Sequence, residues 1–258
     1  MKEDLTVSII QTDLAWENKE ANFNHFDELI NAIELDTDLI VLPEMFSTGF
    51  SMNAENLYDH PEGKTLDWMR RHAKNKNAAI TGSAIIKDGE HCYNRLFFVE
   101  PSGDYKTYDK KHLFTLAGEE QYYSAGKDKL ILDYKGWKIC PLVCYDLRFP
   151  AWIRNQEDYD LLIFVANWPA MRVKAWDTLL QARAIENMAY TIGVNRVGED
   201  GNGFPHCGHS VIYDALGEKI TTDLFEQAFV ETKTLSLQNL IKVRKEFGFL
   251  KDKDTFKI

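Results

Sequence analysis

No stretch of this sequence is long and apolar enough to cross a membrane, and the opening residues Met1 to Val7 lack the apolar core of a secretion signal. Both absences point to the cytoplasm. Cysteine is scarce: Cys92, Cys140, Cys144 and Cys207 are the whole set, with no Cys-x-x-Cys pair among them. That argues against a disulfide framework and leaves reduced thiols as the expectation. Basic residues are outnumbered, 30 Lys and Arg against 40 Asp and Glu, for a formal net charge of -10. A nucleic acid or an anionic membrane is therefore not the expected main partner. Linkers, low-complexity segments and short tandem repeats are missing as well.

What is present is enough for a large core. The 258 residues are 45% hydrophobic and 12% aromatic, which suits one α/β domain spanning 1–258 and excludes disorder. A strand over 5–11, a helix carrying Phe23, Phe26, Ile30 and Ile33 at helical spacing, and a strand over 39–42 make an opening β-α-β unit. A loop over 45–63, mixing turn formers with apolar residues, is suited to wall a pocket. A helix over 66–76 and a three-stranded meander over 78–86, 92–99 and 105–108 follow. Further on come strands at 161–166, 190–197, 210–213 and 229–234. A helix over 173–188 presents Trp176, Leu180, Ala184 and Met188 on one side, and a last helix covers 236–247. Phe247 to Leu250 leaves large apolar residues near the end, which a monomer could bury or a neighbouring subunit could cover.

The chain is organised around the run from Gly136 to Pro150, an apolar strand that breaks at Cys144 into polar residues, with Pro150 suited to the first turn of a helix. As a strand, the segment separates Cys140 from Cys144 by about 13 Å, too far for one metal or one disulfide. A cysteine is more often buried and inert than nucleophilic, so Cys144 alone carries little. Two other strand ends add to it. The apolar run from Asp38 ends in Pro43-Glu44, and Lys110 follows the short strand that begins at Tyr105. Glu, Lys and Cys, each at or just after a strand end, are the parts needed for amide hydrolysis without histidine. The carboxylate moves the proton, the ammonium meets the developing oxyanion, and the thiol attacks.

In that order the three residues resemble the catalytic set of the nitrilase (carbon-nitrogen hydrolase) superfamily. Val143 to Pro150, Val165 to Ala170, Gln181 to Asn187 and Asn195 to Asn202 look like its omega-amidase branch, and the likeness covers nearly the whole chain. The resemblance implies a four-layer α-β-β-α sandwich, a thioester on Cys144, and hydrolysis of small omega-amides such as 2-oxoglutaramate with no cofactor or metal. It further implies a second glutamate in the loop over 118–126, assigned to Glu119, and a homodimer. The backbone N–H of Tyr145, the residue after the nucleophile, is expected to join Lys110 at the oxyanion. Asp146 and Arg148 are read as structural parts of that turn. A substrate carboxylate calls for a cation, for which Arg172 is the candidate, with Trp168 and Phe46 as apolar walls. Rival readings are another carbon-nitrogen hydrolase (nitrilase, carbamoylase or deaminated glutathione amidase), a silent binding protein of the same fold, and a zinc site at His206, Cys207 and His209 in a loop.

Overall fold

The computed structural model describes residues 4–255; of the opening stretch, Met1, Lys2 and Glu3 lie outside them. Strand β1 (Leu5–Gln11) leads to helix α1 (Lys19–Asn31) and strand β2 (Leu39–Val41). The short α2 (Ala54–Leu57) lies in the loop expected to be irregular, and α3 (Lys64–Lys76) precedes the meander β3 (Ala79–Asp88), β4 (His91–Val99) and β5 (Tyr105–Asp109). The second half runs β6 (Leu132–Tyr134), β7 (Trp137–Val143), α4 (Pro150–Ile153), β8 (Leu161–Ala166), α5 (Val173–Asn187) and β9 (Tyr190–Asn195). It closes with the small hairpin β10 (Val197–Glu199) and β11 (Pro205–Cys207), then β12 (Val211–Tyr213), β13 (Phe229–Leu235) and α6 (Leu237–Phe247). Among the described residues no helix is long and apolar enough to cross a membrane.

The strands form a six-stranded sheet in the order β13-β1-β2-β3-β4-β5 and a five-stranded sheet in the order β12-β9-β8-β7-β6. Each has three adjacent parallel strands at its heart, β1-β2-β3 in one and β7-β8-β9 in the other, with antiparallel strands outside. Side-chain alternation sorts the layers. Val7, Ile9, Leu39 and Val41 face a core shared with Ile139, Val143, Ile163 and Ile192 of the other sheet. Their neighbours Ile10, Ile40, Leu42 and Ile80 pack instead against Phe26, Ile30, Leu66 and Met69 of α1 and α3. On the far side α5 buries Trp176, Leu180 and Ala184. It lies so close to β9 that a Cβ on Gly193 would sit 2.4 Å from Leu180, so only glycine fits there. The result is the α-β-β-α sandwich.

Two departures from the sequence reading have local causes. The strand expected over 190–197 ends at Asn195, because that side chain leaves the ladder: its Oδ1 accepts from Trp168 N and Arg196 N, and its Nδ2 donates to Trp168 O and Gly208 O. Val197 to Glu199 then pairs with Pro205 to Cys207, a strand where a loop was expected. The C-terminal stripe is also only partly buried, since Leu240 and Val243 are covered while Phe247 is 43% exposed.

Candidate active site

Glu44 stands three residues beyond β2, and its backbone is tied to the neighbouring strand: Met45 N donates to Ser83 Oγ at 2.9 Å and Phe46 N to Ser83 O at 3.1 Å. Met45 takes a left-handed conformation, φ 42°, which turns the chain sharply and leaves Glu44 fully buried between the sheets. Its Oε1 accepts from Asn94 Nδ2 (2.8 Å) and Lys110 Nζ (3.0 Å), and its Oε2 from the backbone N–H of Asn167 (2.8 Å). The Glu44 charge acts on the Cys144 thiol, which stands near this carboxylate.

Lys110 leaves the end of β5 with its N–H on Asn94 O, and its carbonyl receives the N–H of Gly126. A Cβ on Gly126 would come within 2.0 Å of Asp109 O, so this closure needs glycine. The Lys110 ammonium is 1% exposed and sits between two carboxylates, 3.0 Å from Glu44 Oε1 and 2.9 Å from Glu119 Oε2, with the Phe50 ring centroid at 4.9 Å. Burial disfavours its charge, yet Glu119 and Glu44 outweigh that and hold its pKa above the ordinary lysine value. One ammonium cannot neutralise two carboxylates. Burial accordingly raises the Glu119 pKa, with the Glu44 charge adding to it against the opposing pull of Lys110. Glu119 is held by its own loop through Phe114 N.

Cys144 begins the turn after β7 with φ 44°, a strained left-handed conformation for a residue with a Cβ. Asp146 secures that turn. Its buried carboxylate accepts from Val143 N (3.0 Å) and Tyr108 OH (2.8 Å) on one oxygen, and from His112 N (3.0 Å) and His112 Nδ1 (2.7 Å) on the other. It therefore ties the nucleophile's strand to the segment that carries Lys110. From the helix side, Arg183 donates from Nε and Nη2 to Leu147 O. Burial pushes the Cys144 thiol well above its ordinary range, and the Glu44 charge pushes it further against Lys110. At rest it is a protonated thiol facing a base, not a free thiolate.

Of these groups, Lys110 and Cys144 border a cavity of about 520 Å³, lined also by Tyr145, Asn167, Trp168 and Arg172, among others. Phe50 and Met52 of the loop after β2 also line it, as that loop's composition suggested. Phe46 does not. Expected as a pocket wall, it points the opposite way, fully buried against Phe26 and Trp68 (centroids 5.6 and 5.4 Å), because the turn at Met45 sends successive side chains to opposite sides. Arg148, read as structural, lines the cavity instead. The three zinc-ligand candidates do not cluster. His206 faces the cavity, with Nδ1 donating to Phe204 O, whereas His209 bonds Asp177 and stacks on Phe225. Among the described residues no group of three or more His, Cys, Asp or Glu could hold a metal ion. Sequence reading missed Asn94 and Asn167, both of which hold Glu44. The Asn167-Trp168-Pro169 run after a buried strand was the only signal for either, because Asn94 lies mid-strand among ordinary sheet residues.

Comparison with known proteins agrees with this arrangement. The family model for carbon-nitrogen hydrolases matches residues 6–245. The chain is 48% identical to the omega-amidase YafV of Yersinia enterocolitica over 98% of both chains, and 31% identical to the 2-oxoglutaramate amidase of Bacillus subtilis over 96% of both. Its fold superposes with a TM-score of 0.97, at 40% identity and over 99% of both chains, on XC1258 of Xanthomonas campestris, a CN-hydrolase superfamily protein with an arsenic adduct in its active site. The chain belongs to the carbon-nitrogen hydrolase family, within the nitrilase superfamily. It is an amidase of the omega-amidase branch and acts on a non-peptide C–N bond.

Proposed function

We propose that this enzyme hydrolyses the terminal amide of small dicarboxylate monoamides such as 2-oxoglutaramate, giving the acid and ammonia. The observation that carries the mechanism is the meeting of Glu44, Lys110 and Cys144 from three distant segments. Cys144 Sγ attacks the amide carbon while Glu44 takes the thiol proton, which removes the cost of forming a free thiolate in a buried site. The carbonyl oxygen becomes an oxyanion beside the Lys110 ammonium and the Tyr145 N–H. Glu44 returns the proton to the nitrogen, the C–N bond breaks, and ammonia leaves behind a thioester. A water molecule, deprotonated by Glu44, then attacks the thioester carbon. The C–S bond breaks, the proton returns to sulfur, and the acid departs. Glu119 holds the ammonium through both carboxylate oxygens, so Lys110 stays charged and pointed while Glu44 cycles its proton.

Arg172 is assigned to the substrate carboxylate and Trp168 to the apolar wall, supported by their places on the cavity. The whole chain is proposed to act as one hydrolase domain in the cytoplasm, where its four free thiols stay reduced. A homodimer is proposed as well, supported by the exposed Ile241, Phe247 and Phe249 near the C-terminus; sedimentation at a single monomer mass across concentrations would refute it. The substrate test is ammonia release from a panel of 2-oxoglutaramate, succinamate, glutaramate, butyramide and simple nitriles. The omega-amides are expected to lead in kcat/KM, and a preference for nitriles would overturn the assignment.

A further inference from the structure

Two guanidinium groups enter the cavity, and no carboxylate of the protein meets either of them in a salt bridge among the described residues. Arg148 lies over the Trp168 indole, 5.0 Å from its centroid, and Arg172 lies over the Phe114 ring, also at 5.0 Å. Stacking of this kind fixes the plane of a guanidinium while leaving its N–H edge unused. The wall under both is itself tied down, since Trp168 Nε1 donates to Arg172 O at 2.8 Å and Trp168 N to Asn195 Oδ1 at 2.7 Å. The one hydrogen bond of an Arg172 guanidinium N–H goes to Met171 Sδ at 3.3 Å, a weak acceptor. Asp200, the acid on the cavity wall, is turned to its own loop, where Oδ1 accepts from Asn202 N and Phe204 N. Burial lowers the Arg172 pKa, and the Arg148 charge acts in the same direction. Both arginines line the same cavity as Cys144.

Two cations without a carboxylate partner in one half-buried cavity favour an anion from solution. A simple carboxylate has two oxygens in one plane, which one arginine fork satisfies bidentately. Two forks offer more donors than those oxygens can use. We propose that Arg148 and Arg172 together form a subsite for a 2-oxo acid end, in which the carboxylate and the adjacent ketone oxygen share the two guanidinium groups. Arg148 is then a specificity-determining residue that makes the enzyme prefer 2-oxo omega-amides over plain ones. This rests on the omega-amidase reading above and narrows its substrate class.

The test compares wild type, R148Q and R148K on 2-oxoglutaramate, glutaramate and butyramide, with circular dichroism melts to match folding and with binding of 2-oxoglutarate measured by calorimetry. The charged hydrogen bonds at stake predict that R148Q raises KM for 2-oxoglutaramate about 10- to 100-fold more than it does for butyramide. The penalty on glutaramate falls in between, 2-oxoglutarate binding weakens in step with KM, and R148K recovers only part of the loss. Equal penalties on all three substrates, or unchanged binding of 2-oxoglutarate, would overturn the subsite. If wild type itself shows no preference for 2-oxoglutaramate over butyramide, the omega-amidase reading fails first. A wild-type preference that survives R148Q would sink the Arg148 proposal alone.

Discussion

The two sheets are built alike and charged differently. Each carries three parallel strands whose ends point at the site, with Glu44 beyond β2 in one and Asn167 directly after β8 in the other. The first sheet's half contributes the whole ion cluster, Glu44, Lys110 and Glu119, each at most 1% exposed. The second contributes Cys144 on a strained turn and the two cavity arginines. Buried charge is costly, and the cluster of three ionisable groups at the site lies in the half whose strands β4 and β5 bring Asn94 and Lys110 to the carboxylates. In the second half, burial and the Glu44 charge raise the Cys144 pKa. Glu44 and Cys144 thus follow strands of separate sheets and meet where those sheets pack face to face.

Substitution on the two sides should therefore have different signatures. Cys144→Ala is expected to remove ammonia release by a factor of at least about 10⁴ while changing unfolding free energy by about 1 kcal/mol or less. A urea melt beside an ammonia assay checks both parts, and measurable turnover would take the nucleophile's role away from Cys144. Lys110→Ala should lower kcat about 10²- to 10³-fold and also destabilise the protein by about 3 to 5 kcal/mol, since Glu44 and Glu119 would be left buried without their cation. An activity loss without a stability loss would erase the proposed division between the halves.

The smallest effect concerns acid. Burial, with Arg196 beside it, pushes the His206 pKa down to about 4 from its ordinary 6.5. Between those values the unfolded chain binds a proton that the folded one refuses, so stability is full above pH 6.5 and falls as pH drops toward 4. The slope is at most about 1.4 kcal/mol per pH unit. His206→Gln should flatten that part of the profile in denaturant melts from pH 7 to pH 4, and an unchanged slope would show that another group titrates there.

Much of this was legible beforehand because strands betray themselves by burial. The ranges 5–11 and 161–166 match the observed strands residue for residue; the ends at Glu44 and Cys144 followed from where apolar runs stop, and that at Lys110 from the last strand of the meander. Orientation was the weak point. Phe46 was placed on the wrong side because a left-handed Met45 cannot be read from composition, and Arg148 was taken for a turn residue because its aromatic partner Trp168 lies twenty positions away in sequence. Asn94 was invisible for a related reason, its partners Glu44 and Glu119 being 50 and 25 residues distant.

The order of residues by itself determined most of the longer strands, the helices that cover them and the places of Glu44, Lys110 and Cys144 at strand ends, since periodicity and polarity act within a few residues. Which of those side chains meet, which arginines border a cavity and which aromatic turns inward were decided only when the sheets closed on each other. Hydrogen bonds and Coulomb forces of this kind act over a few ångströms of space, and nothing local in the chain sets that distance.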